Sequence, residues 1–141
     1  MAVTKEESRV AIVTKIEALK ATFSPSPSYT LVIEYENRNL VNWATRTDPV
    51  LCVEILYIDG FQSNLAANTN HRVMGSILLK ALVKKGQGVM AANKLLEHFY
   101  PAMHMSEAMF PVRTRATRLT KEPMEKDWFC EVAVIPFWYD N

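Results

Sequence analysis

The sequence predicts an α+β fold, a single mostly antiparallel sheet with two main helices packed against it in the order α-β-β-β-α-β-β. Three observations carry this expectation. An amphipathic stretch with helical spacing opens the chain, five β-branched or aromatic runs follow, and a second helix-forming stretch lies between the third run and the fourth. With 141 residues and 49% apolar side chains, the chain fits one domain spanning residues 1–141, with enough material for a sizeable core.

The first element is a helix from about Lys5 to Thr22. Thr4 followed by Glu7 is a capping-box pattern, and Val10, Val13, Ile16, Leu19 and Phe23 recur three and four residues apart. Pro25 and Pro27 then remove backbone donors and turn the chain toward extended geometry. Tyr29 to Tyr35 reads as the first strand and Val50 to Ile58 as the second. Between them lies a polar connection anchored by Trp43, and Asp59-Gly60 offers a turn at the end of the second strand.

Phe61 to Asn70 is polar and small and follows neither period, so it reads as a loop. Arg72 to Lys85 fits both periods. Gly75, which costs a helix about 1 kcal/mol against alanine, and the Gly86-Gln87-Gly88 turn favour a strand. Met90 to Tyr100 has Ala91, Leu95, Leu96 and Phe99 on one helical face and a stop at Pro101. Met103, Met105 and Met109 mark an irregular connection, read chiefly as core filling. Val112 to Thr120 and Trp128 to Trp138 read as a closing antiparallel pair joined by a polar turn over Lys121 to Asp127.

Charge and motifs narrow the chemistry. Sixteen Lys and Arg against fifteen Asp and Glu leave a net charge of +1, so no global field favours nucleic acid or membrane. No apolar run reaches the roughly 20 residues of a membrane span, and the acid-bearing N-terminus MAVTKEESRV does not read as an export signal, which implies synthesis in the cytosol. Cys52 and Cys130 lie in apolar runs and read as buried, reduced thiols. The histidines and cysteines lack zinc spacing, no Gly-x-Ser-x-Gly elbow occurs, and Gly86-Gln87-Gly88 lacks the Lys-Ser/Thr ending of a phosphate loop. A small enzyme with a site drawn from scattered residues such as Glu97, His98 and His104 is the residual catalytic alternative.

Surfaces are the better candidates. Arg113 and Arg115 alternate along their strand and leave one face, with Arg118 on the other, which offers guanidinium groups to an acidic protein surface or to passing nucleic acid. The solvated-face alternative stands beside that reading. Phe61, Gln62 and Asn64 in the loop, and Phe137, Trp138 and Tyr139 at the C-terminus, complete the candidate interface. Packing of those three aromatics back onto the domain's own core is the alternative for them.

The stretch HRVMGSILLKALVKKGQGVMAANKLLEHFYP, from His71 to Pro101, and the closing DWFCEVAVIPFW, from Asp127 to Trp138, together with the N-terminal helix, resemble tail terminator (tail completion) proteins of long-tailed bacteriophages. The resemblance covers most of the chain in order and supports a strand over residues 72–85. The Asn-Arg-Asn at residues 37–39 departs from the pattern.

The resemblance implies a virion protein made in the host cytoplasm. It would form a homo-oligomeric ring, commonly of six subunits, that sits on the head-proximal end of the tail tube and stops polymerisation. It would also dock a head–tail connector or neck protein. DNA would pass only through the lumen, with the Arg113 and Arg115 row facing that lumen or an acidic partner rim. The resemblance implies no cofactor, metal or catalysis. Another neck or tube subunit of related architecture is the neighbouring possibility.

Overall fold

The computed structural model describes residues 3–25, 28–36, 41–62, 71–86, 89–125 and 127–140. Its elements are α1 (Lys5–Ala21), β1 (Val32–Tyr35), β2 (Val50–Gln62), β3 (His71–Lys84), α2 (Met90–Met103), β4 (Arg113–Thr114), β5 (Arg118–Glu125) and β6 (Trp128–Asp140). The fold is α+β, with one six-stranded sheet in the order β1-β2-β3-β6 and with β4 and β5 both paired to the outer side of β6. All pairs are antiparallel except β1 with β2.

The Thr4 hydroxyl accepts the Glu7 N–H at 3.1 Å while the Glu7 carboxylate accepts the Thr4 N–H at 2.8 Å, so α1 begins with a complete capping box. Of the expected stripe of α1, Ile16 is buried and Val13, Leu19 and Phe23 pack against the core, whereas Val10 stands 54% exposed and Ser8 and Ile12 are buried in addition. The Ser8 hydroxyl donates to the Lys5 carbonyl at 2.6 Å and meets the Tyr57 hydroxyl of β2 at 3.1 Å. Those bonds satisfy a polar group inside the core, so Ser8 is buried beside Ile12 without an unpaired hydroxyl.

The alternating residues Leu51, Val53 and Ile55 of β2, Ile77 and Leu79 of β3, and Ala133, Ile135 and Phe137 of β6 face the helices. Together with Ile12 and Ile16 of α1 and Leu95, Phe99 and Met103 of α2 they form one apolar cluster. Both helices therefore lie on the same side of the sheet, and a period of two along three long strands sorts every side chain to the helix face or the open face.

Besides β1, which begins at Val32 rather than Tyr29, and β6, which runs on past Trp138 to Asp140, four boundaries differ from the expectation. β2 runs through Asp59-Gly60 instead of turning there, and absorbs the extra length as a register shift between Ile58 and Phe61. Helix α2 runs past Pro101 to Met103. A proline in the last turn forfeits one bond, and the fully buried Met103 with the His104 N–H to Tyr100 carbonyl bond of 2.8 Å holds that turn. Residues 121–125 extend β5, so little of the expected 121–127 turn is left.

The fourth difference is at 112–120, where the single expected strand is two, β4 and β5, separated by residues 115–117. The reading of Met103 and Met109 as core holds, at 0% and 2% exposure, whereas Met105 stands 69% exposed. Gly86 follows β3 with φ of 94°, a left-handed geometry that glycine adopts without strain.

Gly75 has a packing role in β3. It pairs with Tyr57 on one side and Phe137 on the other, whose rings meet edge to face across it at 5.6 Å. A Cβ there would lie 2.6 Å from the Phe137 ring and would also strike the Leu56 carbonyl oxygen. Gly75→Ala is expected to lower stability by about 1–3 kcal/mol, the usual cost of overpacking. Denaturant unfolding checks this, and a stability equal to wild type would refute it.

Candidate functional site: the uncovered sheet face

Among the described residues, helices cover one face of the sheet only. The other carries the even-numbered residues of β2, β3 and β6, as the cross-strand register dictates. Its far end is apolar and open. Leu56 and Ile58 of β2 are 49% and 58% exposed, and Met74, Pro136 and Trp138 lie across the neighbouring strands from them, half-buried. The near end is closed by residues 41–49, where Trp43 packs edge-on against Trp128 with ring centroids 5.1 Å apart. The expected aromatic anchor of this connection is in place. Arg46 ties the segment down by donating to the Thr30 carbonyl at 2.8 Å and the Pro49 carbonyl at 3.2 Å.

At the centre Lys80 of β3 pairs with Glu54 of β2 and Glu122 of β5, both at 3.2 Å, so one ammonium ties strands across the sheet. Desolvation lowers the Lys80 pKa, but the two carboxylates outweigh it and the net shift is upward. Cys52 and Cys130 share this face. Burial, reinforced by nearby carboxylates, pushes Cys52 up to about 12 and Cys130 up to about 11. Both are held as neutral thiols, free of any disulfide, and neither is activated as a nucleophile.

At the apolar end, Arg72 lies over the Trp138 ring at 4.0 Å and forks onto Asp140 at 2.9 and 3.2 Å. That fork draws the Asp140 carboxyl below its ordinary value. Arg113 lies over the same ring at 5.1 Å and reaches Glu107 at 3.6 Å. Two guanidinium groups thus lie over the Trp138 ring in cation–π contact, which favours its place at the surface.

The expected interface residues separate accordingly. Trp138 and Arg113 sit on the open face. Phe137 and Tyr139, each 2% exposed, are instead core residues whose rings stack at 6.4 Å on the helix side, because β6 sends its odd positions inward. Arg115 is exposed but lies outside both strands, so it does not continue an alternating row with Arg113.

Arg118 is a further correction. Thr114 pairs with Phe137 and Arg118 with Val134, so β4–β5 spends one more residue than β6 over that span. The extra residue reverses the parity and brings Arg118 to the same open face as Arg113. Phe61 and Gln62 continue the backbone of β2, while their side chains, and Asn64 altogether, lie outside the described residues.

The scattered-residue enzyme gains no convergence. His98 Nε2 meets the Leu19 carbonyl at 2.6 Å and closes the end of α1, whereas His104 Nδ1 accepts the Thr117 N–H at 2.8 Å at the far end of α2. A groove of about 790 Å³ beside His98, bounded by Phe23, Tyr29 and Lys94, contains Glu97 but not His104. Among the described residues no cluster of three His, Cys, Asp or Glu could hold a metal, and no helix is long and apolar enough to cross a membrane.

No family model and no curated protein matches the chain. Among the solved structures similar in fold, one has a TM-score of 0.64 at 14% identity over 99% of this chain and 96% of that one.

The raised thiol values lead to a measurement. At pH 8 both cysteines are expected to alkylate more than about tenfold slower in the folded protein than in the denatured chain. Because their folded values lie above the ordinary 9.0, their contribution to stability is constant below pH 9 and is lost as pH rises toward 11–12. Equal alkylation rates in the two states would contradict both statements.

Proposed function

We propose that the protein is a structural assembly subunit of the tail terminator kind. In this reading it forms a ring that caps the head-proximal end of a bacteriophage tail tube, halts tube growth and presents a docking surface to the head. The observation that carries the reading is the uncovered sheet face. Long strands place exposed Leu56 and Ile58 beside a surface tryptophan clamped by Arg72 and Arg113, an apolar centre with a charged rim of the sort protein partners cover. The sequence resemblance supplies the kind of partner, and the chemistry of the face suits it. The thiols are quiet, the histidines cap backbone, and the ionised groups at the centre are paired.

In this role the apolar end of the face meets the tube or connector subunit, and Arg113 with Arg118 meets carboxylates on the partner rim. Light scattering and negative-stain electron microscopy of the purified protein are expected to show closed rings, and addition to a polymerising tube protein is expected to shorten the tubes. Open tubes formed by this chain alone would make it a tube subunit instead. Absence of rings together with unchanged tube growth would overturn the proposal.

Within the same assay, Ile58→Asp is expected to weaken tube capping by at least about tenfold, because it places a charge on the exposed apolar centre. Ring formation and folding should persist. Capping at the wild-type level would remove this face from the contact.

A further inference from the structure

The outer edge of β5 carries a short free stretch. Arg118 to Glu122 pair on their inner side with β6, and among the described residues nothing pairs with their outer side. The chain itself bounds this stretch. At one end His104 Nδ1 takes the Thr117 N–H at 2.8 Å and the Met105 N–H takes the Arg115 carbonyl at 3.3 Å. At the other stands Pro123, which has no N–H to give. In an antiparallel ladder alternate residues turn their N–H and C=O away from the strand they pair with, so residues 118–122 are a template for one more short strand.

The stretch is complementary to itself. Arg118, Thr120 and Glu122 share the open face with Lys80, which Glu122 meets at 3.2 Å, while Leu119 and Lys121 turn to the helix side. Residues opposite one another in an antiparallel pair share a face. Run against a copy of itself about Thr120, the stretch uses all of its residues and sets Arg118 of each copy opposite Glu122 of the other. Thr120 then lies opposite Thr120, and Leu119 opposite Lys121.

The remaining charges of this edge do not oppose the pairing. Glu97 and Glu131 line the groove behind Leu119 together with Lys121, but they stand on α2 and β6. Two β5 strands would therefore separate them from the same acids of the second copy. Glu122 keeps its bond to Lys80, since a carboxylate accepts several donors. Leu119 is 56% exposed, and the Lys121 ammonium lies over its own Phe129 ring at 5.9 Å. The apolar stem of each Lys121 is thus available to cover Leu119 of the other copy.

We propose that the chain pairs with a second copy of itself about a two-fold axis at Thr120, the two β5 strands joining their sheets into one. The contact is isologous, the same patch on both sides, and both copies turn their helices to one side and their open faces to the other. The inference does not rest on the ring reading; Arg118 is the side chain that this contact shares with the docking surface proposed above. Two open faces side by side would engage a repeating partner together, each strengthening the hold of the other. The contact is small, so the pair forms and separates with concentration.

Cross-linking at the axis tests the pair. Thr120→Cys sets a thiol opposite its own copy, at a strand separation that a disulfide spans, while Cys52 and Cys130 are held as neutral thiols. Under mild oxidation at pH 8 this variant is expected to give a covalent dimer at least about tenfold faster than Arg115→Cys, an exposed position outside the contact. Adding Arg118→Glu to Thr120→Cys sets carboxylate against carboxylate and is expected to slow the reaction at least about tenfold. Adding Glu122→Arg as well restores opposite charges and is expected to restore the rate. Circular dichroism confirms that each variant is folded.

Equal rates for Thr120→Cys and Arg115→Cys would overturn the pair, and that comparison decides even where a charge variant does not fold. Folded charge variants that cross-link as fast as Thr120→Cys alone, or a second reversal that restores nothing, would overturn it too. Rings seen by microscopy together with equal rates would leave the ring reading standing without the pair. Fast, charge-dependent cross-linking without rings would leave the pair standing without the ring.

Discussion

The register between β3 and its two neighbours governs the rest of the molecule. Thirteen consecutive pairs join β3 to β6 without a bulge, and β2 follows β3 in step from Val50 to Ile58. Because side chains alternate across a strand, this register decides which residues form the core under α1 and α2 and which reach the open face. A slip of one residue would bring Lys80 and Glu54 under the helices and send Leu79 and Val53 out. The burial of ionised groups makes that slip costly. Gly75 secures the register further, because a side chain at its position would strike the Phe137 ring where it meets Tyr57.

Much of this was legible in the sequence because it depends on local spacing. The capping box at Thr4, the glycine that argued against a helix over residues 72–85, and the β-branched runs that became β2 and β6 each carry their signal within a dozen residues. The misread features depend on distant partners. Nothing near Ser8 announces that Tyr57, far along the chain, will meet its hydroxyl and allow its burial, while Val10 is left exposed. Pro101 signals a helix end, and only the burial of Met103 explains the extra turn.

The candidate surface was legible in part for the same reason. Trp138 and Arg113 stood among the candidate interface residues and both reach the open face, but their stacking, and the arrival of Arg72 at the same ring, follow from the β3–β6 and β4–β6 ladders. Phe137 and Tyr139 belonged to the core because alternation along β6 puts odd positions inward, a parity that sequence shows only once the facing of the sheet is known. The one extra residue between Thr114 and Arg118 leaves no mark in composition or period. It nonetheless decides that Arg118 joins Arg113.

The unbroken β3–β6 ladder also has a mechanical side. The Val3 N–H donates to the Asp140 carbonyl at 3.4 Å, which brings the described start of the chain to the end of β6. A pull on Asp140 along the strand axis would load the ladder in shear, so many hydrogen bonds would share the force and none could open alone. A pull across the sheet at the same residue would peel them one by one. The molecule is therefore stiffer along its strands than across them, and the direction of an applied force decides how much load it can bear.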